Sequence, residues 1–411
     1  MPKRLSASPS SDAPRIDSKP SLLVCFSHLR WDFVWQRPQH LLSRAAKTYR
    51  VLVVEEPHVR EGASPHMEVS ERDGGVRIAA PILPPGLSHA EAILAQRSLV
   101  ERLLAAETGS PRLFWYYTPM ALAFTSHLDC DVCVYDNMDE LAAFKGASPE
   151  LLALEEDLFR RADVVFTGGM SLYEAKRSRH HNVHGLPSSI DAAHFAMSRD
   201  RNDDPADIAA LGHPRLGFFG VIDERMDVEL VAACADLRPD WQFVMIGPVV
   251  KIDPADLPSR ANIHWIGGRD YKELPRYLGA FDVGFMPFAI NESTRFISPT
   301  KTPEFLAAGL PVVSTPITDV VRPYGERGLV EIAMTPLEMV RKVEGLMARS
   351  PEAREAWLAR VDRHLASGSW DKTWAAMNAE IARVLGDEIP TRQRSRAGAK
   401  TIPAYAATPA E

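Results

Sequence analysis

The residue types best suited to chemistry lie in Ser298-Pro-Thr-Lys301-Thr-Pro-Glu304-Phe-Leu-Ala-Ala-Gly309-Leu-Pro311-Val-Val-Ser314. A lysine and a glutamate stand three residues apart at what reads as a helix start. Thr302 is the expected N-cap, its hydroxyl accepting from an orphan amide, and Pro303 fits the first helical position. Gly309 can take the left-handed conformation that ends a helix, and Pro311 stops it from resuming. Val312 and Val313 then open a short apolar strand. Free amides at a helix start attract anions, and with Lys301 they suit a phosphate. Glu304 would be repelled by phosphate, so hydroxyls such as those of a ribose are its fitting partner. A glutamate in a first turn also complements the helix dipole without further duty.

A second constellation is Phe218-Phe-Gly220-Val-Ile-Asp-Glu-Arg225-Met-Asp-Val-Glu-Leu230, a strand, a turn and a helix. Gly220 allows close backbone approach. Arg225 in the turn can grip a diphosphate in a forked geometry that lysine cannot match. In the first half, Phe26-Ser-His28-Leu-Arg30-Trp-Asp32-Phe-Val-Trp35-Gln36-Arg37-Pro38-Gln39-His40 crowds aromatic, histidine and arginine side chains into one strand-to-helix connection. Loops carry polar chemistry on a rigid frame, and aromatic faces suit sugar rings. The same aromatics could instead pack a surface between domains. Tyr135-Asp136-Asn-Met-Asp139-Glu140 follows a strand, so Asp136 and Asp139 either face a cleft or cap the next helix.

Other chemistries find little support. Asp129-Cys-Asp131 precedes its strand, at the wrong end for a cleft ligand, and no His/Glu cluster has metal spacing, so no metal site is expected. Cys130 and Cys133 form one Cys-x-x-Cys without a second pair, which points to structural burial. There is no Gly-x-Gly-x-x-Gly after the first strand, no Gly-Lys-Ser/Thr loop and no Gly-x-Ser-x-Gly elbow.

Strands alternating with helices must position these residues. Strand patterns are Leu22–Phe26, Arg50–Glu55, Val76–Ala80, Leu113–Tyr117, Val132–Tyr135 and Val164–Thr167. After a polar stretch the alternation restarts with Arg215–Gly220, Trp241–Gly247, Ile263–Gly267, Val283–Phe288, Val312–Ser314 and Leu329–Ile332. Helices are expected at Ala90–Ala106, Pro149–Arg161 and Met226–Leu237. The fold class is α/β, with two doubly wound Rossmann-like domains facing a cleft. The expected organisation is a disordered leader (1–20), a first domain (21–197), a linker (198–213), a second domain (214–365), a returning helix (366–387) and a disordered tail (388–411).

The 411 residues carry a net charge of −7, against a nucleic-acid binder. No run approaches the roughly 18 apolar residues of a membrane span. The leader lacks an apolar core, so it is not read as a secretory signal, and four cysteines make no disulfide framework. A cytoplasmic location is expected, with Lys176-Arg-Ser-Arg179-His-His181 as a candidate basic contact to a membrane face.

The stretch from Ser298 to Val313 resembles the donor-site motif of retaining GT-B glycosyltransferases of the family-4, or group 1, type. Phe219-Gly220 through Arg225, Phe166-Thr-Gly-Gly-Met-Ser-Leu172-Tyr, and Gly185-Leu-Pro187-Ser-Ser-Ile-Asp191 with Phe195 support the likeness. The opening Phe26 to His40 is similar to a bacterial cell-envelope and exopolysaccharide subgroup, and Ser369-Trp370-Asp-Lys-Thr-Trp374 resembles the helix that crosses back to the first domain.

The resemblance implies a nucleotide-sugar co-substrate, with UDP the expected carrier, and no other cofactor. Arg225, Lys301 and Glu304 would be catalytic. Gly220, Asn291, Thr294, Ser298, Thr300 and Thr302 would be donor-binding. His28, Trp35, Gln36, Arg37, His40, Asp136 and Asp139 would face the sugar or a glycan or lipid-linked acceptor. The anomeric configuration would be retained without a metal. The motif's first glutamate is absent, since the position separated from Glu304 by seven intervening residues is Phe296. Asn291 and Thr294 are its candidate substitutes. That departure keeps a non-catalytic nucleotide-sugar sensor or scaffold, or a nucleotide-sugar epimerase, as alternatives.

Overall fold

A computed structural model describes residues 21–108, 112–200 and 203–386. The expected leader and most of the expected tail lie outside them.

The first strand, β1 (Leu22–Phe26), is buried along its whole length, as a parallel strand covered on both faces must be. It pairs in parallel with β2 (Arg50–Val54), Leu22 opposite Arg50. The sheet continues through β3 (His58–Val59), β4 (His66–Arg72), β5 (Val76–Leu83), β6 (Arg112–Tyr116), β7 (Val132–Asn137), β8 (Val164–Thr167) and β9 (Val183–Gly185). Its order is β3-β5-β2-β1-β6-β7-β8-β9, with β4 antiparallel on β5.

Alternation along these strands sorts the two faces. Leu23, Cys25, Leu113, Trp115 and Val134 point to one side, against Leu41 and Leu42 of the helix Arg37–Ala45. Leu22, Val24, Phe26, Phe114 and Tyr116 point to the other, against Val100 and Leu158 of the helices His89–Ala105 and Leu151–Arg161. This is the period of two that a pleated strand imposes.

The second sheet is parallel throughout. It comprises β10 (Arg215–Phe219), β11 (Gln242–Ile246), β12 (Ile263–Gly267), β13 (Val283–Met286), β14 (Val312–Ser314) and β15 (Glu331–Ile332). The order is β12-β11-β10-β13-β14-β15. Its core joins Phe218, Val244, Phe285 and Val313 to Leu230, Phe305 and Val343 from the flanking helices. The last helix, Trp370–Gly386, returns to the first domain. Trp370, Trp374, Met377, Ile381 and Val384 recur every three or four residues and enter the core of Leu23 and Trp115. The two-sheet architecture and the returning helix agree with the sequence reading.

Three differences matter. The strands β3, β4 and β9 escape the sequence reading, although Asp73-Gly74-Gly75, with both glycines at φ +81°, is a hairpin-turn signal. The described residues of the expected linker pack on the second domain. Ile208 is fully buried in that core, Arg199 pairs with Asp362 at 2.6 Å, and Arg215 pairs with Asp204 at 2.6 Å. Thr302 does not cap its helix, which spans Lys301–Ala307 with Thr300 before it and no side-chain cap. Thr302 is instead fully buried, its hydroxyl 3.6 Å from Met286 Sδ. Gly309 does take the left-handed φ of +77°.

Candidate functional site

The carboxyl end of β10 faces the first domain across a cavity of about 100 Å³. Gln36, Arg37, Met138, Asp139 and Ser188 line it from the first domain. Phe218, Arg225 and the loop Ile297–Lys301 line it from the second. Arg225 and Lys301, 76 residues apart by their numbering, therefore share one cavity.

Gly220 makes this approach possible. Its φ is +127°, and a Cβ there would collide with Lys301 Cε. The lysine chain lies over the bare backbone, with Nζ 5.7 Å from the centre of the Phe218 ring. Burial, followed by repulsion from Arg225, lowers the Lys301 pKa. Arg225 donates from Nε and Nη2 to Asp223, the shortest bond being 2.6 Å. Phe144 of the first domain lies 5.4 Å from its guanidinium and 4.9 Å from Lys251 Nζ. Lys251 has φ +63°, an uncommon conformation for a side-chain-bearing residue and one that gathers at functional sites.

Glu304 sits in the first turn of its helix and is 8% exposed. Burial pushes its carboxyl up to about 7, against the pull of Lys301. It acts electrostatically on Tyr271 just beyond β12, and the Tyr271 hydroxyl is buried without a hydrogen-bond partner. Asp139 lines the cavity wall facing these cations, and burial raises its pKa while Arg225 lowers it.

The remaining expected residues separate into those at the cavity and those committed elsewhere. Ser298 and Thr300 line it, and so does Gln36, which caps the first helix. Asn291 and Thr294 do not line it. Asn291 caps a short turn, and the Thr294 hydroxyl donates to Ala289 O at 2.5 Å. Phe296 is likewise outside the lining, its ring 5.1 Å from the Arg295 guanidinium.

Asp136 and Arg37 are sealed into each other at 2.9 Å, 0% and 1% exposed, and Arg37 also donates to Leu186 O at 2.8 Å. Asp136 is thus committed to Arg37, while Arg37 also forms part of the cavity lining. His40 stacks on Trp370 at 4.5 Å and belongs to the joint with the returning helix. Burial, then Arg44 and His194, lowers its pKa to about 3. Trp35 lies 6.0 Å from Tyr271, so it packs between domains. His28 has Nδ1 buried without a partner, and burial, then Lys251, lowers it to about 4.

The basic run is also spoken for. Lys176 is buried between Glu140 and Glu155 at 2.8 and 3.1 Å, and Arg179 pairs with Glu155 and Glu156. Both charges are paired within the fold. Among the described residues no group of three His, Cys, Asp or Glu is placed to hold a metal, and Cys130 and Cys133 are buried and unbridged. No helix of the described residues is long and apolar enough to cross a membrane. Sequence reasoning missed Asp223, Tyr271, Phe144 and Lys251. Asp223 was readable as a carboxylate two residues before Arg225, while the other three become visible only when loops from separate strands converge.

Residues 213–349 match the family model of glycosyl transferases group 1. A Bacillus subtilis (strain 168) protein, provisionally assigned as a teichuronic acid biosynthesis glycosyltransferase, is 27% identical over 234 residues. The match spans 53% of this chain and 59% of that protein. Among solved structures, sucrose-phosphate synthase from Thermosynechococcus elongatus superposes with a TM-score of 0.68 at 15% identity, covering 89% of this chain and 99% of that one. A UDP-forming α,α-trehalose-phosphate synthase from Burkholderia xenovorans, in complex with glucose-6-phosphate, gives 0.65 at 13%, covering 89% and 100%. An E. coli structure described as trehalose-6-phosphate bound with UDP-2-fluoro glucose gives 0.62 at 13%, covering 89% and 99%. At such identities the likeness speaks for the fold, which is GT-B. The family match falls within the second domain.

Proposed function

We propose that the protein moves a sugar from a nucleotide-sugar, with UDP as carrier, to a glycan or lipid-linked acceptor in cell-surface polysaccharide synthesis. The observation that carries this reading is the meeting of Arg225 and Lys301 at one inter-domain cavity, with Gly220 shaped to let the lysine in. Two cations there neutralise a diphosphate as it departs, which is electrostatic stabilisation of developing charge. Glu304 and Tyr271, beyond the same strand ends, take the ribose hydroxyls. Asp139 supplies a carboxylate from the facing domain, where the sequence has Phe296 in place of the motif's first glutamate.

The acceptor oxygen bonds to the anomeric carbon as the bond from that carbon to the phosphate oxygen breaks. The electron pair leaves with the diphosphate, and the acceptor hydroxyl's proton goes with it. Retained configuration and independence of metal follow from the family resemblance. A lipid-linked acceptor would bring the protein to the cytoplasmic face of a membrane.

The test is incubation of purified protein with a panel of UDP-sugars, followed by measurement of UDP release and mass spectrometry of products. Turnover that falls in Arg225→Ala and Lys301→Ala supports transfer, and unchanged turnover in both removes the assignment. Phe296 favours one second reading, a nucleotide-sugar sensor, which predicts binding of the donor with no turnover in the native chain.

A further inference from the structure

Lys176 ends the helix Met170–Lys176 and is 4% exposed. A lysine that only complements a helix C-terminus can stay in water. This one donates to Glu140 at 2.8 Å and to both oxygens of Glu155 at 3.1 Å. Glu155, on the helix Leu151–Arg161, is 2% exposed and also meets Arg179. Burying such charges costs solvation that their attraction often fails to recover, and apolar side chains of similar volume frequently serve stability as well or better. Stability therefore gives no account of Lys176. The residue is also not among those that line the cavity of Arg225 and Lys301.

The network leads to that cavity all the same. Tyr135 O–H donates to Glu155 at 3.0 Å. Asn137 Nδ2 donates to the Tyr135 hydroxyl oxygen at 2.7 Å and to Asp139 O at 3.1 Å. Tyr135 and Asn137 belong to β7, and each is 1% exposed. Leu141 N–H donates to the same Asp139 O at 3.1 Å. Asp139 thus has its backbone fixed through Asn137, and its neighbour Glu140 is tied to Lys176. Among the described residues that line the cavity, Asp139 is the one carboxylate.

We propose that Lys176 is a positioning residue that fixes the Asp139 carboxylate opposite Arg225 and Lys301, through Glu140 on one side and Glu155, Tyr135 and Asn137 on the other. That role rests on the transfer reading above and adds to it a residue outside the cavity. The far end of the same loop shows why an anchor is needed. Phe144 lies 5.4 Å from the Arg225 guanidinium and 4.9 Å from Lys251 Nζ, and Lys145 N–H donates to Glu224 of the second domain at 3.3 Å. That end answers to the second domain. The root at Asp139 and Glu140 is tied into the first, which refers the carboxylate to its own domain's core.

A group displaced by about 1 Å can lose on the order of a hundredfold in rate. The test is steady-state UDP release by the full chain, with the UDP-sugar it turns over fastest, for Lys176→Met, Glu140→Ala, Asp139→Asn and the two double variants that include Asp139→Asn. UDP calorimetry on each gives the binding-competent fraction. Lys176→Met and Glu140→Ala are each expected to lower kcat at least fivefold, with UDP stoichiometry and affinity within twofold of native. In the Asp139→Asn background neither should lower kcat by more than a further twofold, because a residue acting through Asp139 has nothing left to act on. Losses that multiply with Asp139→Asn, or that track a fall in UDP stoichiometry in Glu140→Ala, mark a merely structural role and overturn the proposal. A kcat within twofold of native in Asp139→Asn, or in both other single variants, overturns it too. Glu140→Ala decides alone if Lys176→Met does not bind UDP, since it leaves Lys176 paired with Glu155. A native chain without turnover overturns the transfer reading and the positioning role together, whereas native turnover with multiplying losses overturns the positioning role alone.

Discussion

Arg37 and Arg225 each follow the first strand of a domain, and each grips an aspartate with two nitrogens. Arg37 and Asp136 are 1% and 0% exposed and come from segments 99 residues apart. Arg225 and Asp223 share one turn, and the guanidinium is 26% exposed beside the cavity. The first pair joins the helix Arg37–Ala45 to β7, and its charges are spent on each other although Arg37 borders the cavity. In the second the aspartate orients a cation that still borders open space. Two similar residue pairs thus diverge in role through burial and through sequence separation, neither of which is a property of the residues themselves.

Breaking the first pair gives the largest expected effect. Asp136→Ala leaves a buried guanidinium uncompensated and costs about 3–5 kcal/mol of stability, read as a lowered denaturation midpoint. Arg225→Ala, tested the same way, should cost less, because the guanidinium is partly exposed, although it leaves the buried Asp223 carboxylate without its partner. Equal losses in the two variants would erase the distinction drawn here.

The next effect belongs to the second pair alone. A charge-assisted contact is worth about 1.5–3 kcal/mol, so Arg225→Ala or Lys301→Ala should slow sugar transfer by roughly ten- to two-hundred-fold. Gly220→Ala should match Lys301→Ala, because the added Cβ takes the space of the lysine chain. Circular dichroism would verify that the fold persists.

A further effect is titratable. The Glu304 carboxyl rises from about 4.5 unfolded to about 7 folded, so the fold binds the proton more tightly. Its contribution to stability is full below the unfolded value and is lost as pH climbs to 7, on the order of 3 kcal/mol. Glu304→Gln should flatten that part of a urea-denaturation series. His40, lowered to about 3, has the opposite sign. Its contribution is full above its unfolded value and fades as pH falls, by about 1 kcal/mol between pH 6.5 and 5.5. His40→Gln should remove that slope, and a slope left intact would mean that the ring is not held neutral by the Trp370 joint.

The fold was legible because burial writes itself into runs such as Leu22–Phe26 and Val164–Thr167, both read to the residue. The strand His66–Arg72 was not, since it lies mostly exposed on the edge of β5 and has no apolar run to betray it. The helix start at Lys301 and the turn at Arg225 could be found from local chemistry. Their meeting with Asp139 could not, because it depends on how one domain stands against the other. Thr302 shows the limit of capping rules. The residue has the right side chain, but the helix begins two residues earlier than expected and carries that side chain into the core.

The helix Trp370–Gly386 belongs to the first domain by packing and follows the second in the chain. The polypeptide therefore passes between the domains twice, once outward after β9 and once back before Trp370. One tether would let the halves swivel in every direction. Two tethers remove most of that freedom, because any relative movement must flex both at once. What stays soft is rotation about the line that joins them, as covers turn about a spine. Any opening of the mouth would then follow a single path, returning Arg225 and Lys301 to the same facing residues.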